Sequence, residues 1–145
     1  MTATYDTPTR PLILFVCQLN AVRSPMAEGL ARDMGFDAKS CGLDPANEPD
    51  SLMVSVMGER GIDMSNHDPV SLRAMADQTF DHIFTFSQDS LEAVKAIYGD
   101  DAPVELWTVP NPNNENYDVR AIMNTYRSIR DVIDTRLQQF KKLHT

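Results

Sequence analysis

The chain has 145 residues and a formal net charge of −8 at pH 7, with 42% hydrophobic and 23% charged residues. This length and composition predict a single soluble globular domain with a substantial core. The negative charge argues against a nucleic-acid partner, and no apolar run is long enough to indicate a membrane span.

The N-terminus and the cysteines suggest where the protein works. Residues 1–10 are polar, have no apolar signal-peptide core and are expected to form a flexible tail before the domain at 11–145. Two cysteines, Cys17 and Cys41, are too few for a disulfide scaffold, which favours a cytoplasmic location. The sequence contains no cluster of His, Cys and acidic residues that would indicate a metal site, and no cofactor is expected.

The first two elements are a strand and a helix joined by a short loop. The apolar run at 11–16 predicts a parallel strand that is buried on both faces. The pattern that follows predicts a helix over 24–34, with Ser24 as its N-cap, Pro25 at its first position and Gly35 as its C-terminal stop.

The loop between them suggests phosphate chemistry. A tight loop that leads into a helix presents N–H groups and a partial positive charge to an anion, so it predicts a site for a phosphate-sized group. A thiol in that setting ionises readily and can accept a phosphoryl group, which makes Cys17 a candidate nucleophile. The forked guanidinium of Arg23 suits two phosphoryl oxygens. The Ser24 hydroxyl can support the thiolate, and Asn20 suits a left-handed loop position. The loop sequence is Cys17-Gln18-Leu19-Asn20-Ala21-Val22-Arg23.

Predicted strands and helices continue to alternate along the rest of the chain. The predicted strands cover 38–41, 80–86 and 104–107, and the predicted helices cover 49–60, 88–98 and 118–140. Such alternation is typical of an α/β domain in which helices cover both faces of a parallel sheet. Ligands of these sheets bind at the carboxyl ends of strands, which is where Cys17 is placed.

Several segments resemble the low-molecular-weight protein tyrosine phosphatase family, which includes thioredoxin-coupled arsenate reductases. Residues 17–28 resemble its C-x-x-N-x-x-R-S-x-x-A-E motif, residues 61–67 its G-I-D-x-S-x-H segment, and residues 109–112 the site of its aspartate-proline pair. The resemblance implies a flavodoxin-like fold with a four-stranded parallel sheet. It implies Cys17 as nucleophile, Arg23 and Ser24 as catalytic partners, His67 as a bracing residue, and a substrate-binding set of Gln18, Leu19, Asn20, Ala21, Val22 and Asn111.

The sequence departs from the family at the general acid. Asn111 stands where the resemblance places an aspartate, and an amide cannot donate a proton to the leaving oxygen. General acid–base assistance contributes about 10²–10⁴-fold, so a weakened reaction is expected. Glu115 and Asp118 are the nearest candidate substitutes, although a solvated loop charge and a helix-start charge are the favoured interpretations.

Three functions remain open. The favoured one is a phosphatase that acts on phosphotyrosine proteins or small aryl phosphates through a phosphocysteine intermediate on Cys17. The alternative is a degenerate member that binds phosphate, phosphotyrosine or another oxyanion and turns it over slowly or never. An arsenate reductase is less favoured, because the reductases of the family use two further cysteines after the third strand, and residues 86–103 contain none.

Overall fold

The structure is a computed structural model that describes residues 10–110 and 118–144. Two predicted site residues, Asn111 and Glu115, lie outside the described residues. The elements in chain order are β1 (Leu12–Cys17), α1 (Arg23–Asp33), β2 (Asp37–Gly42), α2 (Ser51–Gly58), a short 3₁₀ helix (Leu72–Met75), β3 (His82–Thr85), α3 (Gln88–Tyr98), β4 (Val104–Leu106) and α4 (Val119–Leu143).

The four strands form one parallel sheet in the order β2-β1-β3-β4. β1 is central, and its last residue, Cys17, lies opposite Gly42, the last residue of β2. On the other side, Val16 lies opposite Thr85 at the end of β3. The carboxyl ends of three strands therefore meet around Cys17, which is the edge where parallel sheets bind ligands.

Helices cover both faces of this sheet, which confirms the predicted single-domain α/β fold. Side chains alternate along β1, so that Ile13 and Phe15 enter the core beneath α1 and α4. Leu14 and Val16 enter a second core with residues of α3 and the 3₁₀ helix. All four are fully buried, as expected for a strand covered on both sides.

The start of α1 differs from the sequence prediction. The helix begins at Arg23, its N-cap position is Val22, and no side chain caps it. Ser24 is therefore not the N-cap as predicted. Its hydroxyl is fully buried and contacts Cys17 and Asn20, so it cannot serve the N–H groups of the first turn. Those groups stay available to a ligand.

The last helix is the longest, with 25 residues from Val119 to Leu143. It begins close to the predicted boundary and extends three residues beyond it. Its buried side chains recur at helical spacing against α1, α2 and the sheet; they are Tyr126, Ile129, Arg130, Ile133, Leu137 and Phe140. Over the part of the chain that is described, no helix is both long and apolar enough to span a membrane.

Candidate active site

The loop from Cys17 to Arg23 is fixed at the carboxyl end of β1 by the segment that follows β2. The carbonyl oxygens of Cys17 and Gln18 accept hydrogen bonds from the N–H groups of Leu43 and Asp44, at 3.1 and 2.9 Å. The carbonyl of Leu19 accepts one from Ala46 at 2.9 Å. Because the C=O and N–H groups of a peptide point in opposite directions, the N–H side of the loop can face the pocket.

Asn20 holds the loop from inside. It has a left-handed backbone, with φ of 53°, and its side chain is fully buried. The side-chain amide donates to the hydroxyls of Ser24 and Ser40, both at 2.9 Å, and its oxygen accepts from the N–H of Val70 at 3.0 Å. Nε2 of His67 lies 3.1 Å from the Asn20 carbonyl oxygen. These contacts over-determine a backbone conformation that is uncommon for residues other than glycine.

A buried chain of polar groups continues from Asn20 to the surface. The Ser40 hydroxyl donates to Oε1 of Glu28 at 2.5 Å. The other oxygen of Glu28 lies 2.8 Å from Nη1 of Arg32. Glu28 is only 7% exposed, and these two partners offset the cost of burying its charge. Neither Ser40 nor Glu28 was identified from the sequence as part of the site.

Gly42 allows the loop to approach β2. A Cβ atom at Gly42 would lie 2.8 Å from the backbone nitrogen of Asn20 and 2.9 Å from the carbonyl oxygen of Gln18. Real side chains do not tolerate contacts this short with backbone atoms. Only glycine at the end of β2 is therefore compatible with this loop conformation.

Arg23 lies beside the thiol and is tied to the end of β3. Its Nη1 donates to the carbonyl oxygen of Phe86 at 3.0 Å. Burial lowers the pKa of the Arg23 guanidinium, and the negative charge of Cys17 acts in the opposite direction. A guanidinium stays protonated at neutral pH, so Arg23 supplies a fixed positive charge next to Cys17.

These residues line a pocket with a volume of about 360 Å³. Cys17 is only 3% exposed, whereas Leu19 is 48% exposed, so the thiol lies deep and the leucine lies near solvent. The lining residues are Cys17, Gln18, Leu19, Ala21, Val22, Arg23, Ser87 and Asp89. The last two were missed in the sequence, although their position directly after β3 is a signal, because that strand ends beside β1.

The structure brings most of the predicted site residues together. Six of the seven loop residues from Cys17 to Arg23 line the pocket. The seventh, Asn20, lies behind the loop with Ser24 and His67. Asp118 is placed elsewhere: it is the N-cap of α4 and accepts from the N–H of Arg120 at 3.0 Å. It lines a separate depression that shares no residue with the pocket over Cys17.

The second cysteine is remote from solvent. Cys41 is fully buried in β2. Burial raises the pKa of the Cys41 thiol well above its usual range, and the negative charges of Cys17 and Glu28 add to the effect. Within residues 10–110 and 118–144, no group of three or more His, Cys and acidic side chains is arranged to hold a metal ion.

The arrangement can hold a tetrahedral oxyanion against a thiolate. Loop N–H groups and the forked Arg23 side chain have the chemistry to donate to the oxygens of such an anion. The Ser24 hydroxyl lies 2.9 Å from Sγ of Cys17, where it can stabilise a negative sulfur. Such a site suits nucleophilic attack by sulfur on a phosphorus or arsenic centre.

Comparisons with known proteins give related chains over nearly the whole length. A family model described as low molecular weight phosphotyrosine protein phosphatase matches residues 12–144. A curated relative, the glutaredoxin arsenate reductase of Synechocystis sp., is 27% identical over 139 residues, which cover 87% of this chain and 92% of the relative.

Solved structures share the fold. Wzb of Vibrio vulnificus, in complex with benzylphosphonate, superposes with a TM-score of 0.76 at 21% identity. The superposition covers 92% of this chain and 99% of the Wzb chain. The low molecular weight protein tyrosine phosphatase from T. tengcongensis gives a TM-score of 0.71 at 25% identity, with 89% of this chain and 99% of that one covered.

Proposed function

The chain belongs to the low molecular weight phosphotyrosine protein phosphatase family, and from that premise we propose that it hydrolyses phosphotyrosine in proteins or small aryl phosphates. The observation that carries the proposal is the position of Cys17. Cys17 lines a pocket beside Arg23, and its Sγ lies 2.9 Å from the Ser24 hydroxyl. A pocket of about 360 Å³ is large enough for an aryl phosphate.

The reaction would proceed in two displacements. The Cys17 thiolate attacks phosphorus, the bond from phosphorus to the ester oxygen breaks, and the phosphoryl group remains on sulfur. Arg23 and the loop N–H groups stabilise the oxygens of the transferring group. Water then attacks phosphorus, the bond to sulfur breaks, and inorganic phosphate leaves. In this second step, the Ser24 hydroxyl stabilises the departing thiolate.

Asn111 sets the expected preference among substrates. The family's aspartate-proline site reads Asn111-Pro112 here, so that position cannot supply a proton to the leaving group. Aryl phosphates need this proton least, because phenolates leave readily. We therefore expect p-nitrophenyl phosphate to be turned over much faster than esters of poor leaving groups.

A stopped-flow assay with p-nitrophenyl phosphate tests the proposal on three variants. Turnover by the wild type should be abolished in Cys17→Ser and retained in Cys41→Ala, the matched control for loss of a thiol. Asn111→Asp should raise the rate less for p-nitrophenyl phosphate than for esters of poor leaving groups, because those esters depend most on general acid catalysis. Absence of turnover in both wild type and Asn111→Asp, together with retained binding of vanadate, would instead support an oxyanion-binding module.

Arsenate reduction is the second candidate, because the Synechocystis relative is named an arsenate reductase. Reduction of arsenate to arsenite consumes two electrons, which two thiols supply as they form a disulfide. Cys17 can provide one thiol, but Cys41 is fully buried, so the second thiol must come from an external thiol or dithiol protein. Formation of arsenite that requires both glutaredoxin and Cys17 would support arsenate reduction. If no arsenite forms with thioredoxin, glutaredoxin or glutathione as the reductant, this function is excluded.

A further inference from the structure

A carboxyl group with no assigned role lies in the pocket over Cys17. Among the described residues that line this pocket, Asp89 is the one with a carboxyl group. It is the second residue of α3, and its side chain is exposed. The pocket therefore contains a nucleophile, a positive charge and a group that can carry a proton, which are Cys17, Arg23 and Asp89.

Capping contacts fix the backbone at the start of α3, the turn that carries Asp89. The hydroxyl of Ser87, the N-cap, accepts from the N–H of Ser90 at 3.1 Å and lies 2.8 Å from the Ser90 hydroxyl. Ser90 is fully buried. The residue before the cap, Phe86, accepts the hydrogen bond from Arg23 at 3.0 Å. The same short segment thus fixes the phosphate-binding arginine and presents Asp89 to the pocket.

We propose that Asp89 is the general acid and base of the reaction, in place of a carboxyl group at position 111; this inference rests on the phosphatase function proposed above. In the first step, the carboxyl group of Asp89 gives its proton to the ester oxygen as the bond from phosphorus to that oxygen breaks. In the second step, the Asp89 carboxylate takes a proton from the attacking water while the bond from phosphorus to Cys17 breaks. Asp89 ends the cycle protonated.

The surroundings suit both halves of this role. Asp89 lines the same pocket as Cys17 and Arg23, so its carboxyl group borders the space in which the ester oxygen and the attacking water would lie. Once the proton has been transferred, a carboxylate in the first turn of a helix is stabilised by the partial positive charge of the N-terminus. By contrast, Asp118 already caps α4 outside this pocket.

The test compares leaving groups across variants. We expect Asp89→Asn to lower kcat for phenyl phosphate by about 10²-fold and kcat for p-nitrophenyl phosphate by much less. Asp89→Glu should restore part of the loss. Glu92→Gln, an exposed substitution one turn further along α3, serves as the matched control and should leave both rates unchanged. The fall of kcat at high pH in the wild type should disappear in Asp89→Asn.

Different results separate the possible failures. An Asp89→Asn enzyme with the same dependence on the leaving group as the wild type would overturn the acid role and leave the phosphatase function standing. A faster Asp89→Asn enzyme would also overturn it, since the carboxylate would then only repel anionic substrates. A large loss of kcat for phenyl phosphate in Glu115→Gln or Asp118→Asn, with no loss in Asp89→Asn, would assign the general acid role to that other carboxyl group. If the wild type turns over no ester, both the phosphatase function and the acid role fail.

Discussion

The hydroxyl of Ser24 lies 2.9 Å from Sγ of Cys17 in the buried first turn of α1. The amide of Asn20 already donates to this hydroxyl at 2.9 Å, so the hydroxyl proton is directed elsewhere. Its two possible acceptors are the sulfur of Cys17 and the carbonyl oxygen of Cys41, which is 3.3 Å away. A charged sulfur at the shorter distance is the stronger acceptor. Asn20 thereby orients Ser24 as a donor to the thiolate.

This donor should matter most when sulfur is the leaving group. In Ser24→Ala, we expect breakdown of the phosphocysteine to slow by about 10-fold or more, because a hydrogen bond to a charged group contributes about 1.5–3 kcal/mol. Rapid-quench kinetics with p-nitrophenyl phosphate should then show a burst of product followed by slow turnover. The phosphorylated protein should be visible by mass spectrometry.

Ser55→Ala is the control for this prediction, because Ser55 is exposed on α2. It should behave as the wild type in both phases. Equal slowing of the burst and of the steady state in Ser24→Ala would contradict the assignment, since it would indicate that Ser24 acts mainly on the attack by Cys17.

Gly42 gives a prediction about the shape of the loop. In Gly42→Ala, the new methyl group would meet the backbone of Asn20 and Gln18 at 2.8 and 2.9 Å. We expect a loss of stability of about 1–3 kcal/mol, which is typical of overpacking. Phosphate binding should weaken as well, because the loop must move. Urea denaturation and isothermal titration with phosphate measure the two effects.

Gly58→Ala is the matched substitution, since beyond its chain neighbours and the backbone of its own helix no atom lies within 4 Å of a Cβ atom at Gly58. This residue ends α2, where alanine is the better helix former. The variant should be as stable as the wild type or slightly more stable, with unchanged phosphate binding. Normal phosphate affinity in Gly42→Ala would show that the loop does not depend on the close approach to β2.

The sequence was a good guide to the fold because periodicity and helix signals act locally. The prediction of a helix over 88–98 matches α3 (Gln88–Tyr98), where the Ser87 side chain caps the first turn. The prediction over 24–34 was one residue late and assigned the wrong cap. Ser24 has the residue type of a cap, but its hydroxyl is used by tertiary contacts with Cys17 and Asn20, which local patterns do not contain.

The site was predicted only in part for a related reason. The loop from Cys17 to Arg23 is contiguous, so the motif revealed it. Ser40, Gly42 and Asp89 reach the site through the ends of β2 and the segment after β3, and strand order brings them there. Strand order and register are not encoded in residue spacing.

The two thiols should differ sharply in reactivity. Cys17 lines an open pocket, whereas Cys41 is fully buried and its pKa is raised by burial and by the negative charges of Cys17 and Glu28. Iodoacetamide should therefore alkylate the native protein once, at Cys17, as located by peptide mass spectrometry. Phosphate should protect that site. Modification of Cys41 in the native protein at a comparable rate would contradict the burial and reopen an internal thiol relay.

An ion-pair cluster between the end of α2 and α4 should make stability depend on pH in the acid range. Nη2 of Arg127 and Nη1 of Arg130 lie 2.7 and 2.9 Å from the carboxylate oxygens of Glu59. Hydrogen bonds from Arg127 and then Arg130 lower the pKa of Glu59 from 4.5 to about 2. In the unfolded chain the pKa of Glu59 returns to its ordinary value of 4.5. Between about pH 2 and 4.5, Glu59 therefore binds more protons in the unfolded state than in the folded state.

It follows that Glu59 stabilises the fold above about pH 4.5, and that this contribution is lost as the pH falls towards about 2. We expect Glu59→Gln to lower Tm at pH 7 by about 1–4 °C, because the carboxylate is exposed and screened by solvent. Thermal denaturation at pH 7, 5, 4 and 3 should show the difference from wild type shrinking below pH 4.5. Glu92→Gln should show no such trend. A constant difference at every pH would mean that the Glu59 side chain acts through packing and not through its charge.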